Sequence, residues 1–304
     1  MVFSLPVLSL CYWHKITTTR YRRPTMYEPT SPRSILITGC SSGIGLCVAQ
    51  GLHQRGYRVF ATARQQTDVT RLRDLGLESL QLDLDSSASI NTAMDEVLAC
   101  TNGQLYALFN NGAYGQSGAV EDLRRDVLRA QFETNLFGWH ELTCRVLPIM
   151  RQQGYGRIIQ NSSILGFIAL PFRGAYNASK YALEGLTDTL RLELFDTDIH
   201  ISLIEPGPIE SRFRANAFRA YQQNIDKSHS PFQQQYAAME ARLTKEGPAV
   251  PFTLPPEAVL KKVLHALESK RPRERYYVTF PTYLFGTLRR LLSTRSLDRI
   301  LRKV

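Results

Sequence analysis

Two side chains four residues apart could move a proton. Tyr176 and Lys180 lie in AYNASKYALEGL, residues 175–186, a stretch with the periodicity of an amphipathic helix. That spacing puts both on one helical face, one turn apart. A free tyrosine has a pKa of about 10, and a neighbouring cation favours its phenolate. The pair alone proves little, since a packed tyrosine and a solvated lysine often share a helix face. Three further polar segments give it company: NNGAYG (110–115), TNLFG (134–138) and NSSILG (161–166).

The elements that must position these residues follow from the hydropathy pattern. Short, nearly continuous apolar runs at 34–39, 57–63, 77–84, 105–111, 156–163, 199–207 and 275–280 read as strands. Helical periods lie between them, near 44–54, 67–75, 89–99, 121–133, 135–152 and 176–195. Repeated βα units with apolar strands predict an α/β fold: a doubly wound parallel sheet of about seven strands, helices on both faces. In such a sheet ligands bind beyond the carboxyl ends of the strands, where NNGAYG and NSSILG fall. Residues 33–280 are expected to form one Rossmann-type domain. Residues 208–255, rich in Gln, Arg, Ala and Phe, interrupt the rhythm and read as a lid.

The first strand runs into TGCSSGIG, Thr38 to Gly45, and then into a helix. Gly39 permits a tight turn, Gly43 lets backbone approach a pyrophosphate, and Gly45 permits close helix–strand packing. The N–H groups of the helix start, at Ser41, Ser42 and Ile44, are suited to phosphate oxygens. These features in this order predict a dinucleotide site. The second strand ends in FATAR: Ala63 stands where NAD sites carry an acid, and Arg64 can pair with a 2′-phosphate. NADP (as NADPH) is therefore expected over NAD.

LITGCSSGIG, NSSILG, RGAYNASKYALEGL and SLIEPGPI together resemble the short-chain dehydrogenase/reductase (SDR) family over roughly residues 34–213. Within it, the chain looks similar to bacterial YbbO-type NADP-dependent oxidoreductases and to retinol and 17β-hydroxysteroid dehydrogenases. The resemblance implies a carbonyl/alcohol oxidoreductase with Tyr176 as acid/base and Lys180 beside it. It also implies Ser163, thirteen residues before the tyrosine, as donor to the substrate oxygen, and Asn135 in a water relay. Pro206 and Gly207 would wall the nicotinamide, Ser211 would hold its carboxamide, Asp83 would contact adenine, and Asn110 would begin the motif after strand four. That motif reads Asn-Asn-Gly-Ala where the family has Asn-Asn-Ala-Gly. Glycine is favoured where φ is positive, so the swap bears on the loop's geometry. A homodimer or homotetramer is the family's usual assembly. The alternative on the same fold is a non-catalytic NADP-binding regulator.

Phe213, Phe218, Tyr221, Phe232 and Tyr236 in the lid, with Phe167, Ile168, Leu170 and Phe172, are candidates for an apolar substrate pocket. That would suit an aldehyde or ketone with an apolar body: a medium-chain or aromatic aldehyde, retinal, or a steroid ketone. The net charge of +10 is concentrated at the two ends, and no nucleic-acid motif accompanies it. Five cysteines at wide spacing, with no CxxC, point to a reducing cytoplasm and to neither a disulfide framework nor a metal site. Residues 1–32 read as a disordered extension or as preceding a later start at Met26. The basic segment 281–304 places Leu284, Leu288, Leu291 and Leu292 on one helical face. Such a face either rests weakly on an anionic membrane surface or packs on the core.

Overall fold

Seven short apolar strands pair side by side in a computed structural model that describes residues 33–303; the expected N-terminal extension lies outside the described residues. In chain order the elements are β1 (Ser34–Ile37), α1 (Gly43–Gln54), β2 (Arg58–Ala63), α2 (Gln66–Asp74), β3 (Glu78–Gln81), α3 (Ser87–Cys100), β4 (Ala107–Asn110), α4 (Arg125–Phe132) and α5 (Gly138–Gln153). There follow β5 (Gly156–Asn161), α6 (Gly174–Glu193), β6 (Ile199–Glu205), α7 (Phe213–Asn224), α8 (Gln233–Thr244), α9 (Glu257–Glu268), β7 (Arg275–Tyr277), α10 (Phe280–Leu291) and α11 (Thr294–Leu301). All pairings are parallel, in the order β3-β2-β1-β4-β5-β6-β7. The order reverses between β1 and β4, and the carboxyl ends there open the crevice in which such sheets bind ligands.

Strand alternation divides the core. Ile35 and Ile37 of β1 face a layer that includes Val48 and Leu52 of α1 and Val259 and Val263 of α9. Leu36 faces the opposite layer, with Met94 of α3, Trp139 and Leu142 of α5 and Leu183 of α6. Each such fully buried aliphatic side chain contributes about 1.5–3 kcal/mol. Because helices cover both faces, the strands carry apolar residues at successive positions, which is why they read as continuous runs.

Three local expectations are corrected. The expected helix near 121–133 begins as a 3-10 turn, Val120–Asp122, and becomes α4 only at Arg125; a π-turn at Glu133–Phe137 then links α4 to α5. The expected leucine face of the C-terminal segment is split. Leu288 packs inward beside Phe285, with Leu297 and Leu301 from α11, whereas Leu284 and Leu291 are exposed. The helix breaks at Leu292, where the backbone is extended, so a single-helix projection fails. In the lid, Tyr221, Tyr236, Phe172 and Phe232 pack on Ala119 and Ile225 in a cluster of their own, and Phe167 and Ile168 join the C-terminal helices. Of the nine apolar candidates for the pocket, only Phe213 lines the cleft.

Candidate active site

The glycine loop is shaped by contacts that only hydrogen at Cα allows. Gly39 and Gly43 have left-handed φ of 71° and 56°, a region that side chains disfavour. A Cβ on Gly39 would lie 2.5 Å from the Gly112 Cα, and one on Gly45 would lie 2.6 Å from the Asn111 Nδ2. Ser42 precedes α1 without capping it through its side chain. The loop is thereby held open as a backbone cradle at a helix start, which suits a pyrophosphate. The reversed Gly112-Ala113 order is explained here. Neither residue has positive φ, so the order does not matter to the backbone conformation; Gly112 lies against Gly39, where a Cβ would make a tight contact of 3.2 Å with the Gly39 N.

The carboxyl ends of β1, β4, β5 and β6 surround a cleft of about 680 Å³. Gly39, Ser41, Ser42, Gly43 and Ile44 line it together with Ser163, Tyr176, Lys180, Pro206, Gly207 and Ser211, and Ser211 lies against Gly43. Lys180 is 1% exposed. Its Nζ donates to the Asn161 carbonyl at 2.8 Å and sits 4.1 Å from the centre of the Trp139 ring and 5.8 Å from that of Tyr176. Burial lowers its pKa to about 7, with Glu184 opposing the shift. The Tyr176 phenol is pushed up to about 12 by burial; its hydrogen bond with Ser163 and the charge of Arg173 act the other way. The Tyr176 ring meets Phe213 edge-on at 5.2 Å.

Other expected site residues stand behind or beyond this lining. The Thr38 hydroxyl is buried and accepts from the Asn111 and Gly112 N–H groups, each at 2.8 Å. Asn110 is also fully buried, donating to the Thr143 hydroxyl at 3.2 Å. Thr38 ties the end of β1 to that of β4, Asn110 ties β4 to α5, and neither lines the cleft. The Asn135 carboxamide donates to the Tyr114 carbonyl at 2.9 Å and accepts from the Tyr114 N–H at 3.2 Å. It clamps that loop, and its amide also reaches the Ser179 hydroxyl at 3.4 Å, on α6 beside Lys180. Gly45 packs under the loop. Arg64 is exposed just after β2, and Asp83, two residues beyond β3, accepts from the Asp85 N–H at 3.1 Å; both lie outside the cleft lining.

Sequence reading missed several residues. Asn161 and Trp139 hold Lys180, and Asn111 ties the glycine loop to β4 and accepts from Asn161 at 2.8 Å. Arg71, from α2, donates to the Ser41 carbonyl within the loop. Arg173 lines the cleft three residues before Tyr176. Asn111 and Arg173 were visible inside quoted motifs. Trp139 and Arg71 gave no local signal.

A model of the short chain dehydrogenase family matches residues 33–222. The Uncharacterized oxidoreductase YbbO of Escherichia coli (strain K12) is 45% identical over 269 residues, covering 88% of this chain and 94% of that one. Human 17-beta-hydroxysteroid dehydrogenase type 1 is 33% identical over 262 residues, covering 81% and 77%. Among solved structures, a variant of actinorhodin polyketide ketoreductase with NADPH superposes with a TM-score of 0.66 at 28% identity, covering 81% of this chain and 95% of that one. The chain therefore belongs to the short-chain dehydrogenase family. It is an oxidoreductase of CH–OH and carbonyl groups, in a family that binds a nicotinamide nucleotide.

Proposed function

We propose that the chain is an NADPH-dependent reductase of aldehydes or ketones. The observation that carries this reading is the shared cleft: Ser163, Tyr176 and a buried Lys180 line one cavity together with the glycine loop. The cradle fits a dinucleotide, since a Cβ at Gly39 or Gly45 would close it. Bound there, the nucleotide supplies the hydride. The Tyr176 phenol, protonated at neutral pH because burial raises its pKa, donates to the carbonyl oxygen. Ser163 donates to the same oxygen as negative charge develops on it. Lys180, with a pKa of about 7, is poised to return a proton to Tyr176. Ser41, Ser42, Gly43 and Ile44 would hold the phosphates, and Pro206, Gly207 and Ser211 the nicotinamide end. Arg64 would pair with the 2′-phosphate and Asp83 would reach the adenine.

The body of the substrate is apolar or aromatic in this reading, because Leu165, Phe213 and Val250 line the cleft. The domain limits proposed above, 33–280 with the C-terminal segment 281–304, are kept. A homodimer or homotetramer through α5 and α6 is supported by exposed apolar side chains on those helices, Phe137 just before α5 and Tyr181 and Leu186 on α6. The four described cysteines are free, which suits a cytoplasmic setting. No helix among the described residues is long and apolar enough to cross a membrane. Exposed Leu284 and Leu291, with arginines around them, support weak contact with an anionic surface.

The test follows NADPH absorbance with a panel of aldehydes and ketones of increasing apolar size, repeated with NADH. Oxidation that rises with apolar size and prefers NADPH supports the reading. Bound NADPH without turnover across the panel sinks it in favour of a non-catalytic NADP-binding protein.

A further inference from the structure

Arg173 is a cation with no anion. It precedes α6, three residues before Tyr176, and lines the cleft with Tyr176 and Phe213. Its backbone is anchored from two sides. The carbonyl accepts from the Asn177 N–H at 2.8 Å, and the residue forms an isolated parallel bridge with Gly118. The residue is only partly exposed, and it lines the cleft. No ion pair or side-chain hydrogen bond joins it to another described residue. The charges acting on it are a second cation, Arg242, and the Tyr176 phenol; with burial, the like charge lowers its pKa to about 10.

Arg275, also partly buried, is held differently: three carboxylates, Glu184, Asp188 and Glu205, surround it. Among the described residues, Glu210 is the one carboxylate that lines the cleft, and it is not among the charges acting on Arg173. Arg214, which lines the same wall, donates to the backbone carbonyls of Arg242, Lys245 and Gly247 and meets no carboxylate either. A partly desolvated guanidinium without a counter-charge is costly to hold. An anion entering the cleft would remove that cost. The guanidinium fork matches a carboxylate with two parallel hydrogen bonds.

The geometry points to Arg173 as a specificity-determining residue: the substrate is an aldehyde or ketone with an apolar body and a carboxylate, and Arg173 binds that carboxylate while the carbonyl rests on Tyr176. The inference rests on the reductase reading for the carbonyl end, and its test separates the two. Arg173 precedes α6 three residues before Tyr176 and both line the same cleft, so one substrate can meet both.

The first measurement is binding, by calorimetry on the NADP-loaded protein, of 4-(hydroxymethyl)benzoate and of its uncharged analogue 4-methylbenzyl alcohol. The wild type should bind the benzoate more tightly. Arg173→Met should lose about 10–100-fold for the benzoate, the range for a hydrogen bond to a charged group, and leave the neutral alcohol within about threefold. Arg173→Lys should recover part of the loss. In turnover, 4-formylbenzoate should show the same loss in KM, and 4-methylbenzaldehyde should show none. Equal binding of the two alcohols by the wild type overturns the inference without any variant, so misfolding of Arg173→Met cannot shield it. A loss in KM that affects both aldehydes alike also overturns it, assigning Arg173 to Tyr176 instead. Binding discrimination without turnover of any aldehyde would uphold the carboxylate site and sink the reductase reading.

Discussion

The two halves of α6 treat buried charge in opposite ways. Lys180 and Glu184 stand four residues apart, the spacing at which lysine and glutamate form a helical ion pair, yet they do not pair. Lys180 turns to the Asn161 carbonyl and the Trp139 ring. Glu184 accepts from the Ser162 hydroxyl and meets Arg275. Arg275 also meets Glu205 at 2.6 Å and Asp188 at 2.7 Å. At the cleft end the cation is left without a counter-ion, which brings its pKa near neutrality. At the far end one arginine is enclosed by acids, and its own pKa is raised. The lesson is that burial makes a proton mobile only where no opposite charge fixes it. Where charges do lock together, they specify how β6, β7 and α6 meet.

The comparison can be broken at either end. The largest expected effect is at the cleft: Tyr176→Phe should lower turnover by about 10²–10⁴-fold while NADPH binding, read by fluorescence, stays at the wild-type level. Turnover like the wild type's would remove the tyrosine from the chemistry. At the far end, Arg275→Met leaves Glu205 and Glu184 buried without their cation and should lower stability by about 3–5 kcal/mol. Urea denaturation measures this, and a loss near zero would show that the ionic cluster is not what joins these elements.

Two smaller effects sharpen the comparison through pH. Lys180 has its pKa lowered to about 7 in the fold, from 10.5. The unfolded chain therefore binds more protons between about pH 7 and 10.5, and this residue's contribution to stability rises across that window. Relative to Lys180→Met, the cofactor-free wild type should gain stability from pH 7 to 10. Glu205 is shifted the other way, up to about 8 from 4.5, by burial and the nearby Glu184. Here the folded chain binds the extra proton, so stability is lost as pH rises from about 4.5 to 8. Against Glu205→Gln, the wild type should lose stability over that range. Parallel slopes for the two residues would contradict the proposed division of α6.

The sheet and the cofactor cradle were legible because each depends on neighbours in sequence. β1, β2 and β6 lie within their expected runs, and the glycines of TGCSSGIG take the turn and close-packing positions read for them. β3 is shorter than read, ending at Gln81, because Leu82 and Leu84 are buried beyond the paired residues and their hydropathy imitates strand. The lid aromatics were over-read for the same reason. An apolar side chain announces burial but not which surface it meets, and Tyr236, with no exposure, packs under the lid away from the cleft.

By itself, then, the sequence determined the order of βα units, the glycine cradle and the spacing that puts Ser163, Tyr176 and Lys180 at neighbouring strand and helix ends. These are local properties, set by side-chain periodicity and by where Cα can carry no substituent. Only the tertiary structure decided the state of the charges. Lys180 is poised because Asn161 and Trp139, from β5 and α5, enclose it without an acid, and Arg275 is neutralised because acids from α6 and β6 converge on it. Arg173 remains uncompensated because the elements folded around it bring no carboxylate to its guanidinium. A residue's charge state depends on which distant groups replace its water, and spacing along the chain does not encode that.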